Sequence, residues 1–376
     1  MKNLTVIDRA ESTIIQHKMA SAENPTLLMV SGGSDSTRLA YIAKELEESG
    51  QLGPLAMMHV NHQLRGQDSN DDQKFVENLA SQLGIPLFTF EIDIAGEAKR
   101  AGQNIEAFAR QERYASAYQA LESVCYHNSC PVSLGRIFTA HTQDDRVENF
   151  YMRSIVGTGP GGFRSMLYAN AQVMRPLLDL SRQDLRDYLQ QRQQTNQLIV
   201  LDQDNNLWRE DATNAHTDLF RGFVRHQIVP LAKKRNSSQL DTLCRSMNLI
   251  ADEDDYMEKC AGDLENALVS WLNECQESSI DYSLGCILLP DLGKQPRPLQ
   301  RRVCKIVLSK ILGQSARIES ASVDAILAAF VEDGAIQSGY TNNICGNLAI
   351  SANKKGVRIE PMSAYVSRRK PNKKIR

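Results

Sequence analysis

The strongest constraint on this chain is a rhythm. Over roughly its first 180 residues, short apolar runs alternate with longer stretches of helical periodicity. Segments 27–30, 55–60, 87–92, 136–140 and 173–177 read as strands. Between and after them, 36–49, 70–83 (closed by Gly84), 104–125, about 144–155 and 181–191 read as helices, the last opening on an N-cap serine. Strand–helix alternation at this spacing predicts an α/β fold built on a doubly wound, parallel, five-stranded sheet. Ligands of such sheets lie beyond the carboxyl ends of the strands, where the winding reverses. Three segments that follow strands therefore become candidates: 31–36, 59–65 and 141–148.

The character changes after about residue 235. Segment 236–275 reads as helical around an acidic knot, Asp252-Glu253-Asp254-Asp255, and Pro290, Pro296 and Pro298 mark 290–298 as loop. Helices are expected at 299–312 and 320–331, and 347–350 with 357–359 flank Asn353-Lys354-Lys355-Gly356 as a small hairpin. The expected organisation is a first domain over 1–235 (core 25–195, helical connector 196–235) and a second over 236–376. The second is mainly helical with a small β appendage, and its tail, 368–376, holds six basic side chains and no acid.

Composition narrows the class of function. Lys and Arg total 43 against 45 Asp and Glu, a net charge of −2, so a nucleic-acid partner has to be met by local basic patches rather than bulk charge. No apolar run approaches the roughly 18–20 residues of a membrane span. The first residues carry Asp8, Arg9 and Glu11 where a signal peptide needs an apolar core. Eight scattered cysteines show neither C-x-x-C nor zinc-ribbon spacing. Together these predict a cytoplasmic protein with free thiols and no membrane partner.

Ser31-Gly32-Gly33-Ser34-Asp35-Ser36 lies between an apolar strand and a helix. Paired glycines let the backbone approach an anion closely, and the start of the helix offers free N–H groups and a positive dipole end. Phosphate is the natural guest. A carboxylate beside phosphates makes chemical sense with Mg²⁺ between them, which assigns Asp35 to a metal. The loop lacks the Gly-Lys-Ser/Thr of a Walker A sequence, and a tight strand-to-helix turn is its structural alternative.

S-G-G-S-D-S after a first strand resembles the signature of the PP-loop ATP pyrophosphatases. That resemblance implies that Ser31, Gly32, Gly33, Ser34, Asp35 and Ser36 grip ATP. Further stretches narrow it: His59-Val60-Asn61-His62-Gln63-Leu64-Arg65, the helix from Asn104 through Tyr114, and His141-Thr142-Gln143-Asp144-Asp145-Arg146-Val147-Glu148. Arg175-Pro176-Leu177-Leu178, Trp208-Arg209-Glu210-Asp211-Ala212-Thr213-Asn214 and the run from Arg221 to Pro230 complete the set. In this order the chain resembles the tRNA(Ile)-lysidine synthetase family over about residues 25–235. Asn149, Val156 and Gly222 depart from that family's pattern.

The resemblance implies an ATP-dependent carbon–nitrogen ligase that releases AMP and diphosphate. Free L-lysine would join the 2-position of the wobble cytidine in the CAU anticodon of isoleucine tRNA, giving lysidine and changing codon reading from AUG to AUA. ATP and Mg²⁺ are the implied cofactors, tRNA and lysine the partners, and a homodimer is left open. Asp35, His141, Asp145 and Glu148 are the expected catalytic residues, with His59 and His62 bordering the nucleotide. Glu106, Arg110, Arg113, Arg209, Arg221 and Arg225 are expected to meet the other substrates.

The residues themselves leave alternatives. Asp145 and Glu148 stand one helical turn apart, able to hold an ammonium or a second metal. Thr142-x-x-Asp145 is equally a capping box. Lys233, Lys234, Arg235, Arg297, Arg301, Arg302 and Lys305 either track phosphates or are solvated charge. Two other functions stay open: tRNA thiolation by a PP-loop relative, and a nucleotide- and RNA-binding paralogue with impaired catalysis.

Overall fold

The computed structural model describes residues 4–209, 220–272, 280–313, 316, 318–331 and 333–369. These residues form two compact units, 1–250 and 251–376.

The first unit opens on a helix that the strand rhythm did not announce, α1 (Val6–Gln16), started by a Thr5/Asp8 capping box. The alternation follows: β1 (Thr26–Met29), α2 (Ser34–Glu48), β2 (Leu55–Asn61), α3 (Gln67–Leu83) and β3 (Leu87–Glu91). Then come α4 (Ile94–Ala101), α5 (Ile105–His127), β4 (Arg136–Phe138), α6 (Gln143–Val156) and α7 (Pro160–Phe163). A short hairpin, β5 (Ala169–Asn170) and β6 (Val173–Met174), leads to α8 (Arg182–Gln194). Gly84 ends α3 in the left-handed conformation at φ 65°, the cap expected of it.

The sheet order is β3-β2-β1-β4-β6-β5. Five strands run parallel as the rhythm predicts; the sixth, β5, is a two-residue antiparallel edge on β6. Period-two alternation sorts side chains to the two faces. Leu28 and Met57 join the core under α1, α2, α3 and α8, while Leu27, Ala56, Met58 and Ile137 pack with Ala117, Leu121 and Val124 of α5. Both faces are covered, which is why these strands read as continuous apolar runs. The winding reverses between β1 and β4, so the turns after those two strands border one crevice.

Four of the six residues 157–162 are glycine, yet α7 makes one turn there. Pro160 at its start already has helical φ, and Gly159 is its N-cap. After 209 the described chain resumes at α9 (Phe220–Phe223), passes through a π-helical turn at Val224–Ile228, and continues as α10 (Val229–Arg235).

The boundary between the units falls within α11 (Gln239–Leu268). Cys244 and Met247 of its first turns pack with Val147 of α6, so this end of the helix belongs to the first unit. The second unit adds β7 (Val269–Trp271), β8 (Cys286–Leu288), α12 (Arg297–Leu312), α13 (Ser320–Leu327), β9 (Thr341–Ile344), β10 (Leu348–Asn353), β11 (Gly356–Pro361) and α14 (Met362–Arg369). Its β part is larger than a hairpin: a five-stranded antiparallel sheet in the order β7-β8-β11-β10-β9. The expected turn is present, with the Asn353 side chain accepting the Lys355 N–H at 2.8 Å. Pro298 sits in the first turn of α12 rather than in loop, because a first-turn proline forfeits no helical hydrogen bond. Val303, Val307, Ile326, Leu288 and Ile359 form this unit's separate core.

No helix among the described residues is long and apolar enough to cross a membrane.

Candidate active site at the sheet switch point

The turn after β1 is tied together by its own serines. Ser36 Oγ lies 3.1 Å from Ser31 Oγ, accepts the Ser31 N–H at 3.2 Å and donates to the Gly33 carbonyl at 3.0 Å. Gly32 has φ +87°, a left-handed conformation costly for other residues. Gly33 is the N-cap of α2 and gives it no side-chain cap, so the first-turn N–H groups are left for an anion. These features fit a polyphosphate. Asp35 projects from that first turn. Burial raises its carboxyl above the ordinary range, against the pull of Arg182. No cluster of three or more metal-ligating side chains exists among the described residues. Asp35 with phosphate oxygens suits Mg²⁺, which commonly binds through one or two carboxylates plus its nucleotide.

Across the crevice, α6 presents the other carboxylates. The capping box expected of Asp145 is present and uses one of its two oxygens. Its Oδ2 closes the capping box, accepting from Thr142 N at 2.8 Å and Thr142 Oγ1 at 3.0 Å. Its Oδ1 accepts from Arg221 Nη2 at 2.7 Å and from Arg182 Nη2. Glu148, almost wholly buried, accepts from Arg182 Nη1 and Arg225 Nε at 2.7 Å each and from Arg221 Nε at 2.9 Å. Burial alone would raise both carboxyls; the arginines outweigh it and hold both below their usual range. Arg182 also reaches Asp35 through Nε at 3.4 Å. One guanidinium thus spans all three carboxylates expected to be catalytic, and its own pKa is raised.

The strand-end reading missed Arg182, although the signal was present: it is the first residue of the helix that follows β6. Asp144 fixes that start by accepting the Arg182 N–H at 2.8 Å. His141 pairs through Nδ1 with Thr139 Oγ1 at 2.9 Å, and burial pushes its pKa down to about 4. His59 donates from Nδ1 to the Val30 carbonyl at 2.9 Å, directly before the phosphate turn, and its buried Nε2 has no partner among the described residues. Burial, helped by Arg113, pushes His62 down to about 4 as well, and its Nδ1 is likewise buried without a partner among the described residues.

Other expected site residues are less central. Arg113 is exposed on α5, near enough to His62 and His141 to oppose protonation of both. Arg110 is exposed and lies over the Tyr114 ring at 5.1 Å, and Glu106 is exposed in the first turn of α5. Arg209 pairs with Asp72 at 3.0 Å and Asp202 at 3.2 Å, while its backbone N–H donates to the Gly32 carbonyl at 3.0 Å. It braces the phosphate turn from outside. Glu210, Asp211, Ala212, Thr213 and Asn214, together with 370–376 of the tail, lie outside the described residues. In the second unit Arg302 is committed to Asp254 and Glu258, whereas Arg301 and Lys305 stand exposed one turn apart on α12.

A phosphate turn, a carboxylate after it and a charged cluster across a parallel-sheet switch point define an ATP-binding α/β protein. A family model described as PP-loop domain matches residues 5–232, and the chain belongs to that ATP-binding family. Its relatives narrow the resemblance. The tRNA(Ile)-lysidine synthase of Thermus thermophilus is 35% identical over 240 residues, covering 64% of this chain and 42% of that one. That of Geobacter sulfurreducens is 28% identical over 332 residues, covering 87% of this chain and 64% of its own length. The chain therefore spans between about two fifths and two thirds of these curated relatives. Among solved structures, U34-tRNA thiolase NcsA from Methanococcus maripaludis with its [4Fe-4S] cluster aligns over 65% of this chain and 79% of that chain, at 16% identity and a TM-score of 0.48.

Proposed function

We propose that this protein uses ATP to ligate free L-lysine to the 2-position of the wobble cytidine in the CAU anticodon of isoleucine tRNA, in the cytoplasm. The observation that carries the reading is the bridge from Asp35 through Arg182 to Asp145 and Glu148, which joins the phosphate turn to the opposite wall of the crevice. The similarity to lysidine synthases supports the choice of substrates.

ATP with Mg²⁺ supplies an adenylyl group that makes the cytosine 2-oxygen a leaving group. The protein's part is to position and to manage charge. Ser31, Gly32, Gly33, Ser34 and Ser36 would hold the polyphosphate, with Asp35 on the metal. His59 and His62 border the nucleotide; His62, with its low pKa, is neutral at pH 7. Asp145 and Glu148 already hold cationic guanidinium groups, which supports their holding the ammonium of lysine. Forming the new carbon–nitrogen bond releases a proton from the ε-amine. A carboxylate becomes a stronger base as neighbouring arginines leave it, so Arg221 and Arg225, drawn toward RNA phosphates, would prepare Asp145 or Glu148 to accept that proton. Arg110, Arg113 and Glu106 would line the approach to the base, and Arg209 would keep the turn in place. The part beyond α10, with Arg301 and Lys305 exposed, is assigned to tRNA.

The test incubates the protein with labelled lysine, ATP and unmodified CAU-anticodon isoleucine tRNA. Label should enter the tRNA as AMP and diphosphate appear. A protein that binds ATP yet leaves the tRNA unlabelled is not this ligase.

A further inference from the structure

Arg38 on α2 is wholly buried, yet most of its hydrogen-bonding capacity is unused. A helical side chain leans toward the helix N-terminus, so a residue four positions on reaches back over the first turn. Arg38 does this: its Nη1 donates to Ser34 Oγ and lies 3.6 Å from Asp35 Oδ1, both part of the phosphate turn. Its guanidinium stacks on Trp208, 4.5 Å from the ring centroid. Nε and Nη2 are buried and have no partner among the described residues. Those two nitrogens form the side-on edge of a guanidinium, the edge that pairs with phosphate or carboxylate through two parallel hydrogen bonds.

The charges nearby favour an anion. Arg38 and Arg182 both lie on Asp35, the one carboxylate of the phosphate turn. Packing alone gives no reason for a buried side chain to keep two donor nitrogens unpaired, because each costs its full desolvation.

We propose that Arg38 is a further nucleotide-binding residue, whose unpartnered guanidinium edge takes a phosphate oxygen of ATP while Trp208, stacked on the same group, reports the event. This rests on the assignment of 31–36 to a nucleotide. It adds a residue from inside the helix to a site otherwise built from backbone and hydroxyl donors. It also gives Trp208 a place in the site, as the surface against which that guanidinium is held.

The test uses the full chain with Trp271→Phe, which leaves Trp208 as the sole tryptophan. Calorimetry gives the affinity for Mg-ATP, and Trp208 emission is followed over the same titration. Emission is expected to change saturably with the calorimetric midpoint. Arg38→Met, which keeps the length and loses the fork, should weaken ATP about tenfold to a hundredfold, as expected for one lost charge-assisted pair. Arg38→Lys should recover part of that loss. A folded Arg38→Met protein with unchanged ATP affinity overturns the proposal while leaving the nucleotide site standing. So does a Trp208 signal that stays flat while calorimetry saturates in Arg38-intact protein, a result that does not depend on whether the variant folds. If Arg38-intact protein binds no ATP, the assignment of the turn falls and this proposal with it.

Discussion

Arg182 concentrates the electrostatics of the crevice in one side chain. Removing it from Asp145 and Glu148, which are 8% and 2% exposed, strips buried carboxylates of a shared counter-charge. Arg182→Met is expected to destabilise the fold by about 2 kcal/mol in urea unfolding, below the roughly 3–5 kcal/mol of a fully broken buried pair, because Arg221 and Arg225 remain. Unchanged stability would show that those two compensate completely. Asp35 is tested through the metal: in Asp35→Asn, calorimetry should find ATP affinity no longer strengthened by Mg²⁺, and a persisting effect removes Asp35 from the metal. The histidines predict a pH dependence with a definite sign. His62 titrates near 4 in the fold against an ordinary 6.5, so the unfolded chain takes up its proton first. Stability from this group is complete above 6.5 and is lost as pH falls toward 4. Thermal unfolding scans should show His62→Gln flattening the slope between pH 6.5 and 4; an unaltered slope contradicts a half-buried imidazole kept neutral.

At the scale of elements, α6 is held by the same atoms that form the site. Thr142 caps it while fixing Asp145 Oδ2, so Thr142→Val should cost about 1 kcal/mol of stability and lower activity together. Lost stability with full activity would separate cap from catalysis. This double use explains what was legible in the sequence. Strand–helix alternation and the glycine turn are local signals, and they carry the five parallel strands, their order of appearance and the two turns, after β1 and β4, that border the crevice. The ion pairs of Arg182, Arg209 and Arg38 join residues distant in sequence, or sit in a helix whose charges read as surface, so periodicity carries no trace of them. Short elements were lost for a related reason. Val269–Trp271 and Cys286–Leu288 are three residues each, too short to show alternation, and exist as strands because β11 offers β8 a ladder and β8 offers one to β7. Polar Thr341–Ile344 is likewise a strand by virtue of its pairing with β10.

For the whole molecule, the division at 250 decides where the chain can be cut. Ending it at 235 would remove Cys244 and Met247 from α6, together with Asn248, which accepts from the buried Arg146 at 2.5 Å. A fragment 1–250 is expected to unfold cooperatively and bind ATP like the full chain, with weakened tRNA affinity in filter binding. A fragment 1–235 should be markedly less stable. Equal stability of the two fragments would mean that the first turns of α11 contribute nothing to α6. One small feature bears on how copies of this protein behave when crowded. The sheet stops at β5, two residues long and turned back on β6 through Ala171 at φ +50°. Such a stub offers an incoming strand almost no ladder to extend, so that flank is guarded against edge-to-edge stacking without any charged gatekeeper.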